Sequence, residues 1–113
     1  MKDINGKIQY KGKEYTMVFN LNVMEEIQAE YGSIGAWADL TDKEEPDAKA
    51  VKFGIMQMIN EGIDIDNEEN GTNTPFFTMK QIGRLLTEVG MKNATTAMTD
   101  TVIASTKGEE KNG

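Results

Sequence analysis

The chain has 113 residues, with 12 Lys and Arg against 19 Asp and Glu, a net charge of −7. At 38% hydrophobic and 27% charged it has the length and composition of one small domain with its own core. The absence of Cys and His excludes thiol nucleophiles, disulfides, Cys/His zinc sites and imidazole acid–base chemistry, and the acidic balance opposes nucleic acid and anionic membranes.

The polar start from Met1 to Gly6 does not read as a secretory signal, and no apolar run approaches the roughly 20 residues that span a bilayer. The chain therefore reads as soluble and intracellular.

From Ile4 to Phe19 the apolar period is two, interrupted at Lys11-Gly12, which predicts a β-hairpin over residues 3–19. Asn5-Gly6 is a second turn signal, so the first strand starts at Lys7 or at Lys2. A lone hairpin is marginal in water, so its apolar face (Ile8, Tyr10, Tyr15, Met17, Phe19) packs on the helices that follow or pairs with another chain, making a homo-oligomer.

Asn20 and Asn22 both suit an N-cap, and Asn22 with Glu25 has capping-box spacing. Val23, Met24, Ile27 and Tyr31 form a stripe closed by Gly32, predicting a helix over 21–31. A short helical turn over 33–40 aligns Ile34, Trp37 and Leu40, with Trp37 as a core anchor. Pro46, read as just inside a helix start, opens a second main helix over 46–61 ended by Gly62. One face of this helix carries Ala48, Val51, Ile55, Met58 and Ile59. Phe53 and Met56 point roughly 150° away at 100° per residue, which reads as a central helix between neighbours or as a contact patch for a partner.

Residues 63–75 read as an acidic loop. Thr78-Met79-Lys80-Gln81 matches a capping box and opens a helix over 79–89, closed by Gly90. Ala94, Ala97, Met98, Val102 and Ile103 suggest a last helix over 93–106, and residues 107–113 read as a disordered tail. The sum is an α+β domain spanning 1–106: a hairpin followed by a bundle of about four helices.

Asp64-Ile65-Asp66-Asn67-Glu68 opens like a calcium loop, but Glu69 stands where that loop needs Gly and Pro75 where it needs a bidentate Glu. Neighbouring acids such as Glu25/Glu26 and Glu44/Glu45 diverge rather than converge in a cleft. No phosphate-binding Gly-Lys loop is present. These readings point to a non-enzymatic protein without metal or cofactor. Eight Met residues are the compositional oddity, since flexible thioethers fill irregular cores and make adaptable binding surfaces. Met24, Met58 and Met79 read as core. Met56, Met91 and Met98, with Phe53, are the candidate partner-binding residues.

The run Gly12-Lys13-Glu14-Tyr15 leading to Phe19, then Asn20 to Ile27 and Glu30-Tyr31-Gly32-Ser33, resembles the opening of tail assembly chaperones of long-tailed (siphovirus-type) bacteriophages and prophages. Ile59-Asn60-Glu61-Gly62 resembles that family's ending of its middle helix, and the helix at Met79 to Gly90 fits its C-terminal half. The resemblance implies a cytoplasmic factor that binds the tape measure protein and helps recruit the major tail protein, the tail tube subunit. It also implies a factor absent from the mature virion, with the segment from Lys107 as a joint to a frameshifted extension. From another class, a small acidic regulator that imitates DNA would need carboxylates at regular spacing on a rigid face, whereas here they cluster in linkers.

Overall fold

The computed structural model describes residues 6–112, with side chains through residue 106; residues 3–5 of the expected hairpin lie outside that span. Strands β1 (Gly6–Tyr10) and β2 (Lys13–Met17) pair antiparallel, with Ile8 opposite Tyr15 and Tyr10 opposite Lys13. Lys11 and Gly12 connect them, both at positive φ (52° and 76°), as a two-residue turn matching the strand twist requires. Ile8 and Met17 are buried, so the period-two pattern correctly marks the inner face.

Five helices follow: α1 (Leu21–Tyr31), α2 (Ile34–Thr41), α3 (Ala48–Asn70), α4 (Met79–Val89) and α5 (Met91–Asn112). The fold is α+β, a hairpin and then helices. Asn20, rather than Asn22, caps α1, accepting from the Val23 amide at 3.2 Å. The expected capping box on α4 is present, with Thr78 and Gln81 each accepting from the other's backbone amide.

Three boundaries differ from the sequence reading. Pro46 lies outside α3, because Asp47 takes the capping position and accepts from the Ala50 amide at 2.9 Å. Gly62 does not end α3, which continues eight residues further to Asn70 before Gly71 (φ 65°) closes it. Ile63 is buried and prolongs the apolar stripe of Val51, Ile55 and Ile59, so tertiary burial carries the helix through the glycine. Gly62 is instead a contact residue, since a Cβ there would collide with the Thr16 carbonyl oxygen. The third difference is α5, which starts directly at Met91 and runs through the expected tail as far as Asn112. The Lys and Glu residues there favour helix, and only Gly108 opposes it. Within α5 the hydroxyls of Thr95, Thr101 and Thr106 donate to the carbonyls four residues back, which accommodates threonines in a helix.

Helix α3 is the centre of the molecule, packing on β2, α1, α2, α4 and α5. Its Gly54 lies flat under Trp37 and 3.1 Å, measured from a Cβ placed there, from the Met98 sulfur. Trp37 is buried and donates from Nε1 to the Ala50 carbonyl at 2.9 Å; it is the anchor the sequence suggests. Helix α5 packs on β1, and the Ser105 hydroxyl donates to the Phe19 carbonyl at 2.9 Å, tying the last helix to the end of the hairpin.

Candidate protein-interaction groove

The core-facing side of α3 is centred on Val51, Ile55 and Met58, all fully buried. At 100° per residue the opposite side presents Phe53, Met56, Asn60 and Asn67. Phe53, Met56 and Asn60 are each half-buried, so the neighbouring helices leave this side of α3 partly open.

One flank of the opening is α1, which runs antiparallel to α3. At one end Asn20 and Asn22 donate from Nδ2 to the same Glu61 oxygen, at 2.9 and 3.0 Å. At the other end the Tyr31 ring meets Phe53 edge-on, with centroids 5.7 Å apart at 71°, and Lys49 lies 3.7 Å from Glu30. That ion pair is exposed and worth at most about 1 kcal/mol; the aromatic contact and the Asn–Glu bonds hold the alignment. The other flank is α4, whose Gly83 lies under the Lys52 ammonium. On the helical wheel Met56 and Asn60 fall between Lys52 and Phe53, which makes them the floor.

The segment after α3 forms the remaining wall, and two asparagines of α3 hold it. Asn60 donates to the Phe77 carbonyl (3.0 Å) and accepts from the Phe77 amide (2.8 Å), a side-chain amide pairing with a residue as a neighbouring strand would. Asn67 donates to the Thr74 carbonyl (3.1 Å) and accepts from the Thr74 amide (3.0 Å) and the Thr72 hydroxyl (2.8 Å). Seven residues apart, the two lie on one face of α3 about 10 Å from each other. Phe77 then points to the hairpin, 5.1 Å from Tyr15 and 6.4 Å from Tyr10. Phe76 stays 54% exposed and overhangs a hollow of about 370 Å³ that Val23, Glu25 and Glu26 of α1 share with Gln57, Asn60, Glu61 and Asp64 of α3. Four carboxylates and no cation line it.

Of the four candidate contact residues, Phe53 and Met56 share this floor. Met91 lies elsewhere, half-buried beside Pro46 in a hollow of about 510 Å³ between the α2–α3 connection and the start of α5. Met98 is a correction: it is 1% exposed and belongs to the core, because Gly54 leaves room for its sulfur against α3. Met58 is core as expected and Met24 packs against it, whereas Met79 is half-buried outside the core cluster. The residues that sequence reasoning missed are Asn60, Asn67 and Phe76. Asn60 on the Phe53 face is a signal that could have found the first of these, since Asn within a helix is disfavoured without a partner, whereas Asn67 falls in what the sequence reads as a loop.

Tyr31 closes the Lys49 end of the groove against Phe53. Its hydroxyl is buried with no hydrogen-bond partner among the described residues. Desolvation first, and then the negative charges of Asp47 and Glu30, push its phenol above the ordinary value. Asp64, Asp66 and Glu68, the calcium-like string, lie on helix α3 rather than on a loop, and among the described residues no three acidic groups converge as metal ligands. No helix of the described chain is long and apolar enough to cross a membrane.

Comparison with known proteins yields no matching family model, no matching curated protein and no matching solved structure.

Proposed function

We propose that this protein is a non-enzymatic assembly chaperone of the long-tailed phage type. It covers an apolar helical segment of the tape measure protein, keeps it soluble in the host cytoplasm, assists recruitment of tail tube subunits and leaves before the virion is complete. The observation that carries the reading is the open side of α3, where Phe53 and Met56 lie half-buried between α1 and α4. A helix laid along such a groove buries apolar residues spaced at three and four, at about 25 cal/mol per Å² removed from water. The sequence resemblance supports the same reading, and its Asn60 is a residue with a structural task, holding the wall of the groove. A net charge of −7 opposes self-association while a client is held.

The test is co-expression with a helical tape-measure fragment that aggregates alone. The fragment stays in the supernatant when this protein is present and co-purifies with it. Equal precipitation with and without the protein ends the proposal. The DNA-imitating reading is weaker: Glu61, Asp64 and Glu68 share one face of α3, but the exposed Phe76 ring stands over the carboxylates of Glu25, Glu26, Glu61 and Asp64.

A further inference from the structure

We infer that the groove accepts a helix in one direction only, with the client's N-terminal, Lys/Arg-bearing turns over Glu25, Glu26, Glu61 and Asp64 and its C-terminal turns over Lys49 and Lys52. This rests on the reading that the groove holds a helical client and adds which client chemistry fits and which way it lies.

Three observations define the occupant. The first is length. From Lys49 to Asn60, where the Phe77 backbone crosses the outer side of α3, that side spans about 16 Å, which matches a helix of roughly 11 residues whose first turns then lie over the carboxylate hollow. The second is the apolar stripe: Phe53 and Met56 form the middle of the floor, and exposed Phe76 overhangs one end. A client therefore needs apolar residues spaced at three and four along its centre. The third is charge. The Phe76 end is lined by four carboxylates with no cation among them, while at the opposite end Lys49 and Lys52 are offset by Glu30 and by Asp47, which acts on the same Tyr31, so the strong field lies at the Phe76 end.

Polarity follows from these charges. A helix N-terminus carries about half a positive charge and its C-terminus the reverse. Laying the client antiparallel to α3 sets its positive end and its cationic side chains against the acidic end together. The reversed helix sets its negative end and its acidic side chains against those four carboxylates, a mismatch that discriminates between orientations. A second copy of this chain is a poorer occupant because each copy brings seven excess negative charges. Among the described residues its hairpin tip offers a basic pair, Lys11 and Lys13, whose ammonium groups lie 5.5 and 5.4 Å from the Tyr10 and Tyr15 ring centres.

The experiment uses the full chain and two fluorescein-labelled peptides of about 16 residues with the same apolar stripe. One carries Lys in its first two turns and Glu in its last two; the other has these charges exchanged. Anisotropy titration is expected to show the first peptide binding at least about tenfold tighter, a gap that narrows near 0.3 M salt where exposed charges are screened. The double variant Glu26→Lys/Asp64→Lys, which leaves Glu25 and Glu61 against two new lysines, abolishes the preference, and Met56→Asp weakens both peptides about tenfold while circular dichroism confirms an unchanged fold. A photo-crosslinker at the peptide N-terminus labels the α1–α3 segment around Asp64, not Lys49. Equal binding of the two peptides, indifference to Met56→Asp, or crosslinking at the Lys49 end overturns the inference. So does a concentration-dependent oligomer abolished by Lys11→Glu/Lys13→Glu, which would give the groove to a second copy. The two proposals separate cleanly. If the groove variants still keep the tape-measure fragment soluble, the chaperone reading stands without this groove. If the peptides discriminate but the fragment precipitates, the groove stands without that client.

Discussion

The two sides of helix α3 follow opposite rules. Its inner side is held by absence of atoms: Gly54 under the Trp37 ring and Gly62 against the Thr16 carbonyl let neighbours approach to backbone distance. Its outer side is held by polar atoms, since Asn60 and Asn67 hydrogen-bond the backbone of the segment that follows, and the apolar residues between them stay half open. The inner side thus fixes the fold and the outer side offers a surface, and substitutions on the two should behave differently.

The largest effect belongs to Gly62→Ala. The added methyl must displace β2 backbone, not a flexible side-chain tip, so urea denaturation should show a loss of about 3 kcal/mol or more. A loss under about 1 kcal/mol would mean that α3 and β2 can separate without cost, and the contrast would fail. Next comes Asn60→Ala, which strips both partners from the Phe77 peptide. A loss of about 2 kcal/mol is expected, with faster amide exchange confined to residues 72–78. Exchange that rises across the whole chain would place Asn60 with the inner residues.

Met56→Asp should cost under about 1 kcal/mol, because its side chain is only half-buried and the new carboxylate reaches water; a thermal melt decides it. The smallest effect is Tyr31→Phe, expected within about 0.5 kcal/mol of the parent, because the hydroxyl removed has no partner to lose. Its pH dependence is the sharper measurement. A phenol whose folded value is raised contributes stability that is present below its unfolded value of 10.0 and lost as pH climbs through the folded one. The parent should therefore lose stability faster than Tyr31→Phe above pH 10, and parallel curves would remove the electrostatic account of this end of the groove.

Most local signals were legible, the Asn22–Glu25 spacing and Pro46 excepted, since Asn20 and Asp47 take those caps. The hairpin turn at Lys11-Gly12, the Gly32 cap and the Thr78–Gln81 box concern residues within four positions of each other, and each stands where the sequence places it. Gly62 was misread because a glycine after an apolar stripe looks like a terminator, while its true partner is the Thr16 carbonyl, 46 residues earlier. Met98 reads as a surface residue until Gly54 is seen to leave it space. The outward direction of Phe53 and Met56 was legible from helical spacing alone. The loop wall was not, because Asn60 and Asn67 act on backbone atoms, which carry no residue-specific pattern.

The bond from Ser105 to Phe19 joins positions 86 apart in the chain, and α5 packs on β1. During synthesis the hairpin therefore emerges long before the helix that shelters it. A nascent chain ending near Gly90 leaves part of that sheet uncovered, and closure of the domain waits until the stretch around residue 105 has cleared the ribosome.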